Sequence, residues 1–244
     1  MTFWWMGTIV ASLAGLIQGL TGFGFALVFT PLAALFLSPR VAVFSALVLS
    51  ASLSGAVIIQ TRAHLRWSTV LVMVGASALG TLPGLVALTI LPEGTLRVVI
   101  IIATLLAALA FFAWRPRPLP PRFERGGLAM ASFIGGVLNG STSMGGPPVA
   151  LLIAAQGWRT DEVRGSLAAF NLLSSLIGTG VLLSSGIVDS AALTAALYWL
   201  PAALVGSATG ALLSRRVPHR VFPLVLAGTV LASVGLTVVL FLIH

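Results

Sequence analysis

Apolar runs of about 20 residues, long enough to cross a hydrocarbon core of roughly 30 Å, recur from one end of this 244-residue chain to the other. Short joints bearing Arg, Pro or Gly separate them. A soluble helix must keep one polar face toward water, so repeated continuous apolar segments exclude an ordinary soluble domain. Composition agrees, with 58% of residues hydrophobic and only 7% charged, against about 25% charged in soluble domains. A cleaved leader would account for one run only. The chain is expected to be an all-α polytopic protein of the inner membrane, with the lipid bilayer as a partner.

The net charge of +8 would point a soluble protein toward nucleic acid. Here all 13 basic residues are Arg and they sit in the joints, where cationic loops resist translocation and mark the cytoplasmic side. No nucleic-acid partner is expected. Cysteine is absent, which excludes disulfides, thiolate metal sites and cysteine chemistry. No cofactor is implied, and a homo-oligomer is compatible with everything read here.

The chain matches itself best at an offset of about 121 residues. Gly15, Gln18, Gly19, Thr21 and Gly24 fall on Gly136, Asn139, Gly140, Thr142 and Gly145, and Ser45 and Ser54 fall on Ser166 and Ser175. Further on the match drifts slightly, so that Gly80, Gly84 and Arg97 meet Gly206, Gly210 and Arg220. Two repeats of four segments follow: 3–37, 39–61, 67–91 and 94–114, then 127–157, 161–185, 188–213 and 218–243. The N-terminal membrane repeat is thus 1–114 and the C-terminal one 127–244. Between them, 115–126 is a cytoplasmic linker whose prolines deny it a helix and whose arginines deny it the bilayer.

The first segment of each repeat is too long for one straight crossing, because about 35 helical residues would extend more than 50 Å at 1.5 Å each. Each must be broken where glycines gather: at Thr21-Gly-Phe-Gly24, and at Gly140-Ser-Thr-Ser-Met-Gly-Gly-Pro-Pro148. A break is either a kink in one crossing or a hairpin that leaves on the side it entered. If both segments cross, the arginines divide almost evenly between the two sides. If the second is a hairpin, Arg62, Arg66, Arg115, Arg117, Arg122, Arg125, Arg159, Arg164, Arg215, Arg216 and Arg220 share one side, with only Arg40 and Arg97 opposite. That asymmetry is the positive-inside signal. Extended to the first segment by repeat symmetry, it gives two inverted repeats, each opening with a broken or re-entrant helical hairpin. The linker is then cytoplasmic and the C-terminus periplasmic. Inverted repeats place transporter sites near the midplane, where discontinuous helices meet.

Chemistry is expected at the two breaks. Backbone N–H groups opening a half-helix lack intrahelical partners and attract anions, and glycine lets a ligand approach the backbone closely. Gln18, Thr21, Gly22 and Gly24 in one repeat, and Asn139, Ser141, Thr142, Ser143, Gly145 and Gly146 in the other, make a neutral oxyanion cradle. A second polar stripe, Ser45, Ser50, Ser52 and Ser54 with Ser166, Asn171, Ser174 and Ser175, walls the same space, and Asn171 is its costliest member to bury unpaired. The spaced glycine pairs Gly15 and Gly19, Gly80 and Gly84, Gly136 and Gly140, Gly206 and Gly210 read as helix-packing positions.

No acidic or basic side chain lies deep in an assigned span; Glu93, Asp161, Glu162 and Asp189 fall at segment ends, and His64, His219 and His244 in joints or at the terminus. No carboxylate cation site, His metal site or proton relay follows from this pattern. An intramembrane serine enzyme would need a base beside Ser141, and no His is placed to supply one. The expected activity is therefore secondary transport of a small anion, with a carrier of neutral or cationic metabolites as the rival reading.

At these residues the chain resembles the sulfite exporter TauE/SafE family of membrane permeases. The resemblance rests on a duplicated glycine-rich stretch leading to proline: Gly19-Leu-Thr-Gly-Phe-Gly-Phe-Ala-Leu-Val-Phe-Thr-Pro31 and Gly140 to Pro148. It implies movement, usually outward, of sulfite, sulfonates or related organosulfur anions. Where many members carry three consecutive glycines this chain has Gly-Phe-Gly-Phe, placing Phe25 beside the site.

Overall fold

A computed structural model describes residues 2–62, 65–113, 117–186, 188 and 190–214, together with Gly228 and Gly235. Among the described residues there are nine helices and no strand: α1 Thr2–Thr21, α2 Phe25–Ala33, α3 Pro39–Thr61, α4 Trp67–Ile90, α5 Glu93–Ala113, α6 Pro121–Thr142, α7 Gly146–Ala155, α8 Thr160–Ser184 and α9 Ser190–Ser214. The segment expected at 218–243 and the C-terminus lie outside them, apart from those two glycines.

Local chemistry sets the helix ends. Ser38 Oγ accepts from the Val41 N–H at 3.4 Å to open α3, with Pro39 on its first turn, a position where proline loses no helical hydrogen bond. The Glu162 carboxylate accepts from the Arg159 N–H at 3.0 Å at the start of α8, in the manner of a capping box. The same proline rule corrects the linker. It was expected to stay non-helical to residue 126, yet α6 begins at Pro121 and takes in Arg122 to Arg125. Pro120 and Pro121 sit before and at the first turn, where they start a helix instead of breaking it.

Five stretches, Pro39–Ile59, Trp67–Ile90, Glu93–Ala113, Asp161–Ser184 and Ala192–Leu213, are long and apolar enough to cross a membrane. Their outer faces are greasy: Leu71, Leu79, Leu82, Val86 and Ile90 on α4, and Ile102, Leu105, Leu106 and Leu109 on α5, are exposed. In lipid such faces have nothing to hide from, and helix association rests on close packing between small residues.

That packing fixes how the helices run. A Cβ at Gly15 would strike the Ala203 carbonyl, at Gly19 that of Ser207, at Gly206 that of Ser12 and at Gly210 that of Leu16. Positions rise together, so α1 and α9 are parallel. Likewise Gly80 abuts the Phe133 carbonyl, Gly84 that of Val137, Gly136 that of Ser77 and Gly140 that of Thr81, making α4 and α6 parallel. The pair α3 and α8 is antiparallel, since Gly165 faces Thr61 while Gly178 faces Leu47. Arg66 meets Glu162 and Ser77 meets Ser174, so α4 and α8 run the same way. In sum α1, α3 and α9 finish toward the end of the bundle where α4, α6 and α8 begin.

That shared end is drawn together by polar contacts across the joints. Arg66 pairs with Glu162 at 3.0 Å and lies 4.3 Å over the Trp158 ring. Trp158 Nε1 donates to Glu124 at 3.2 Å, and Leu119 N–H donates to Gln156 at 3.2 Å. At the opposite end Arg40 holds the last carbonyls of α4.

Candidate functional site

Both long opening segments are broken inside the stretches where glycine and small polar residues gather. α1 ends at Thr21, and Gly22 and Gly24 take φ of 82° and 98° before α2 starts at Phe25. α6 ends at Thr142, and Ser143 takes φ 64° before α7 starts at Gly146. Gly22 and Ser143 are equivalent positions in the repeat alignment. Their N–H groups close the preceding helix identically, onto Gln18 O at 2.6 Å and Asn139 O at 2.9 Å, and Gln18 and Asn139 are themselves equivalent. So are Thr21 and Thr142, whose hydroxyls donate to Ile17 O at 2.8 Å and Leu138 O at 2.7 Å. Left-handed backbone is cheap for glycine and strained for serine.

The two breaks meet at a small cavity of about 20 Å³, room for about one water molecule, lined by residues of α1, α2, α3, α7 and α8 and of both breaks. Its polar wall consists of Gln18, Ser50, Ser143, Asn171 and Ser175, with Gly24 and Gly146 on the backbone side. Phe23, Phe25, Met144 and Pro147 supply the apolar part. Ser50 and Asn171 are equivalent positions, facing the cavity from α3 and α8. Gln18 is nearly fully buried and donates to Ser54 Oγ at 3.2 Å, which orients its amide. Ser143 Oγ is buried without a hydrogen-bond partner. The openings of α2 and α7 both adjoin this space, so free N–H groups and two partial positive charges converge on it. Pro147 and Pro148 have no N–H, leaving Gly146 the chief backbone donor on the α7 side.

Of the residues expected at the site, Gln18, Gly24, Ser143, Gly146 and Asn171 line the cavity, and Thr21, Gly22, Asn139, Ser141, Thr142 and Gly145 do not. The others shape it. Thr21 Oγ1 also accepts from Phe23 N–H at 3.2 Å, holding the first break shut. Asn139 Nδ2 donates to Ser174 O at 3.2 Å, tying α6 to α8. Ser141 bonds Val137 O at 2.8 Å, the back-bonding habit of hydroxyls in membrane helices. Gly145 lies where a side chain would meet Gly135 O at 2.8 Å and Asn139 Cβ at 2.9 Å. The walls contributed by Phe23, Met144 and Pro147 were not anticipated. Their only signal was position, beside glycines already suspected.

α5 covers the breaks from one side. Phe111 lies 5.7 Å from the Phe23 ring, and Thr104 Oγ1 is 3.5 Å from Met144 Sδ.

Five helices long and apolar enough to cross a bilayer, with a small neutral polar cavity between two interrupted helices, form an arrangement of the kind a membrane permease needs. The chain matches the sulfite exporter TauE/SafE family over residues 7–237, nearly its whole length. It belongs to that family, and it is accordingly a multi-pass membrane transporter. It matches none of the curated proteins and none of the solved structures with which it was compared.

Proposed function

We propose that this protein is a secondary carrier, in the outward direction, of a small oxyanion such as sulfite or a short sulfonate, working by alternating access at a midplane site between two inverted repeats. The observation that carries the reading is the convergence of the α2 and α7 openings on one cavity whose other polar groups, Gln18, Ser50, Ser143, Asn171 and Ser175, are all uncharged. Such a wall offers donors to an oxyanion from several directions. It holds no fixed carboxylate that would favour a cation.

Helix direction supports the inverted arrangement. α1 and α3 run the same way, so α2 between them is a return; α6 and α8 also run the same way, so α7 is a return. Val149 of α7 comes within 3.4 Å of a Cβ placed on Gly135 of α6, a contact that only a folded-back segment makes. Exchanging the two repeats turns the α1–α9 pair into α6–α4 and maps α3–α8 onto itself, which is what a two-fold axis in the membrane plane produces. With the Arg-rich end taken as cytoplasmic, the linker lies inside and the protein sits in the inner membrane with its C-terminus outside.

Uptake of radiolabelled sulfite and methanesulfonate into proteoliposomes tests the cargo. Wild type should show saturable flux, and Asn171→Ala and Gln18→Ala should each raise the half-saturating concentration about three- to tenfold, the loss of one or two hydrogen bonds. Flux that neither anion competes for would replace the oxyanion reading with that of a neutral or cationic metabolite.

A further inference from the structure

Arg164, on the first turns of α8, reaches across to the other repeat and lies along its break. A side chain at Gly22 would press on Arg164 Cγ at 3.3 Å and Nε at 3.4 Å. Gly22 stands between Gln18 and Gly24, both on the cavity wall, and Gly165 beside it faces Thr61 at the Arg-rich end of the bundle. The guanidinium is thus stationed between that end and the cavity.

It is also poorly satisfied. Nε is buried with no hydrogen-bond partner, and Nη2 donates one bond, to Gly19 O at 3.5 Å, the outer limit for such a contact. Among the described residues the single ion pair is Arg66 with Glu162; Asp161, one turn earlier on α8, attracts the Arg164 charge without pairing with it. A half-buried guanidinium with no carboxylate in contact is unfavourable unless something fills the gap.

Helix capping does not fill it. Arg40 shows how an arginine caps a helix in this fold, with Nε on Leu88 O at 3.1 Å and Nη2 on Thr89 O at 3.0 Å and Leu91 O at 3.4 Å. At the end of α1 the corresponding carbonyls are those of Gly19, Leu20 and Gly22, and Arg164 reaches only the first of them, through Nη2. Arg164 therefore keeps one edge of its fork, Nε–H with Nη2–H, almost unused. Two parallel donors on a planar edge match two oxygens of one tetrahedral or pyramidal oxyanion.

We infer that Arg164 forms an anion site of its own, outside the cavity, where a small sulfur oxyanion docks between the Arg-rich end and the break. The inference deepens the carrier reading and takes the chemistry of its ligand from it, while the site is read from Arg164 alone. Binding and flux therefore test different things. The purified protein in detergent is titrated with sodium sulfite and with methanesulfonate, ionic strength being held constant with gluconate, and the thermal unfolding midpoint is followed. Wild type should be stabilised saturably. R164Q should require about tenfold more anion or lose the response, and R164K, which keeps the charge but not the fork, should fall between them.

A wild-type response unchanged in R164Q, or no response of wild type to either anion, overturns the site. If R164Q does not fold, R164K decides, and half-saturation equal to wild type overturns it. Saturable binding in detergent with no flux in proteoliposomes would sink the carrier reading and leave Arg164 standing. Wild-type flux in proteoliposomes together with a detergent response unchanged in R164Q would do the reverse.

Discussion

Ser143 holds the left-handed conformation that its repeat equivalent gives to Gly22, and it holds a buried hydroxyl with no partner. A serine there costs about 1–2 kcal/mol in backbone strain relative to glycine, and the orphaned hydroxyl adds to that. Residues kept against such a penalty tend to sit at functional sites. Ser143→Gly is accordingly expected to raise the thermal midpoint, by the equivalent of about 1 kcal/mol, while increasing the half-saturating anion concentration several-fold. Thr21→Val should do the opposite: about 1 kcal/mol less stable, since its hydroxyl bonds only the backbone of the break, with half-saturation unchanged. Thermal unfolding and proteoliposome uptake on the same preparations read both. Thr21 and Ser143 also mark how far the residues alone could lead. Composition identified neutral polar groups at each break, but which of them faces the cavity depends on how the chain turns at Gly22 and Ser143. Residue type states what a side chain can bond, not which partner it meets, and so Thr21, Asn139 and Ser141 read like ligands though their hydroxyls and amide are engaged in holding helices.

Between elements, the small-residue faces decide. Those faces were legible, because glycines spaced four apart in an apolar run have few other uses. Their pairing was not, since α1 could have sought any of three similar faces. A methyl at Gly210 would enter the Leu16 carbonyl, whereas one at Gly75 meets nothing within 4 Å. Gly210→Ala should therefore destabilise by about 1–3 kcal/mol through overpacking, and Gly75→Ala should leave stability unchanged or raise it by up to about 1 kcal/mol through helix propensity. Detergent-resistant yield and thermal midpoint distinguish the two, and equal effects would show that α1 and α9 do not approach as closely as Gly15, Gly19, Gly206 and Gly210 indicate. The helix starts at Ser38 and Arg159 could be read from their caps and joints; the start at Pro121 could not, because a run of prolines signals a break or a beginning equally well until the following residues are seen to be helical.

Over the whole molecule, the absence of cysteine makes topology directly measurable. Gly94 lies in open space at the start of α5, and Arg117 is exposed in the linker. With Gly94→Cys and Arg117→Cys as single-cysteine chains in intact cells, a membrane-impermeant maleimide added outside should label the first and spare the second; the reverse pattern would invert the assignment of sides. The arginine distribution is the argument for this orientation and for a hairpin in the second repeat. It was silent on the first, where no charged residue precedes Arg40, and there the directions of α1, α3 and α9 supply the argument.

The parallel pairing of α1 with α9 has a consequence for how the protein is made. α1 leaves the ribosome long before its main neighbour, the helix ending at Ser214, so its glycine face stays bare to lipid until that helix is made. α6, by contrast, emerges after α4 and can dock at once. Maturation then proceeds from the middle of the chain outward, and the first break takes its final shape only when the last third of the polypeptide arrives to seal it.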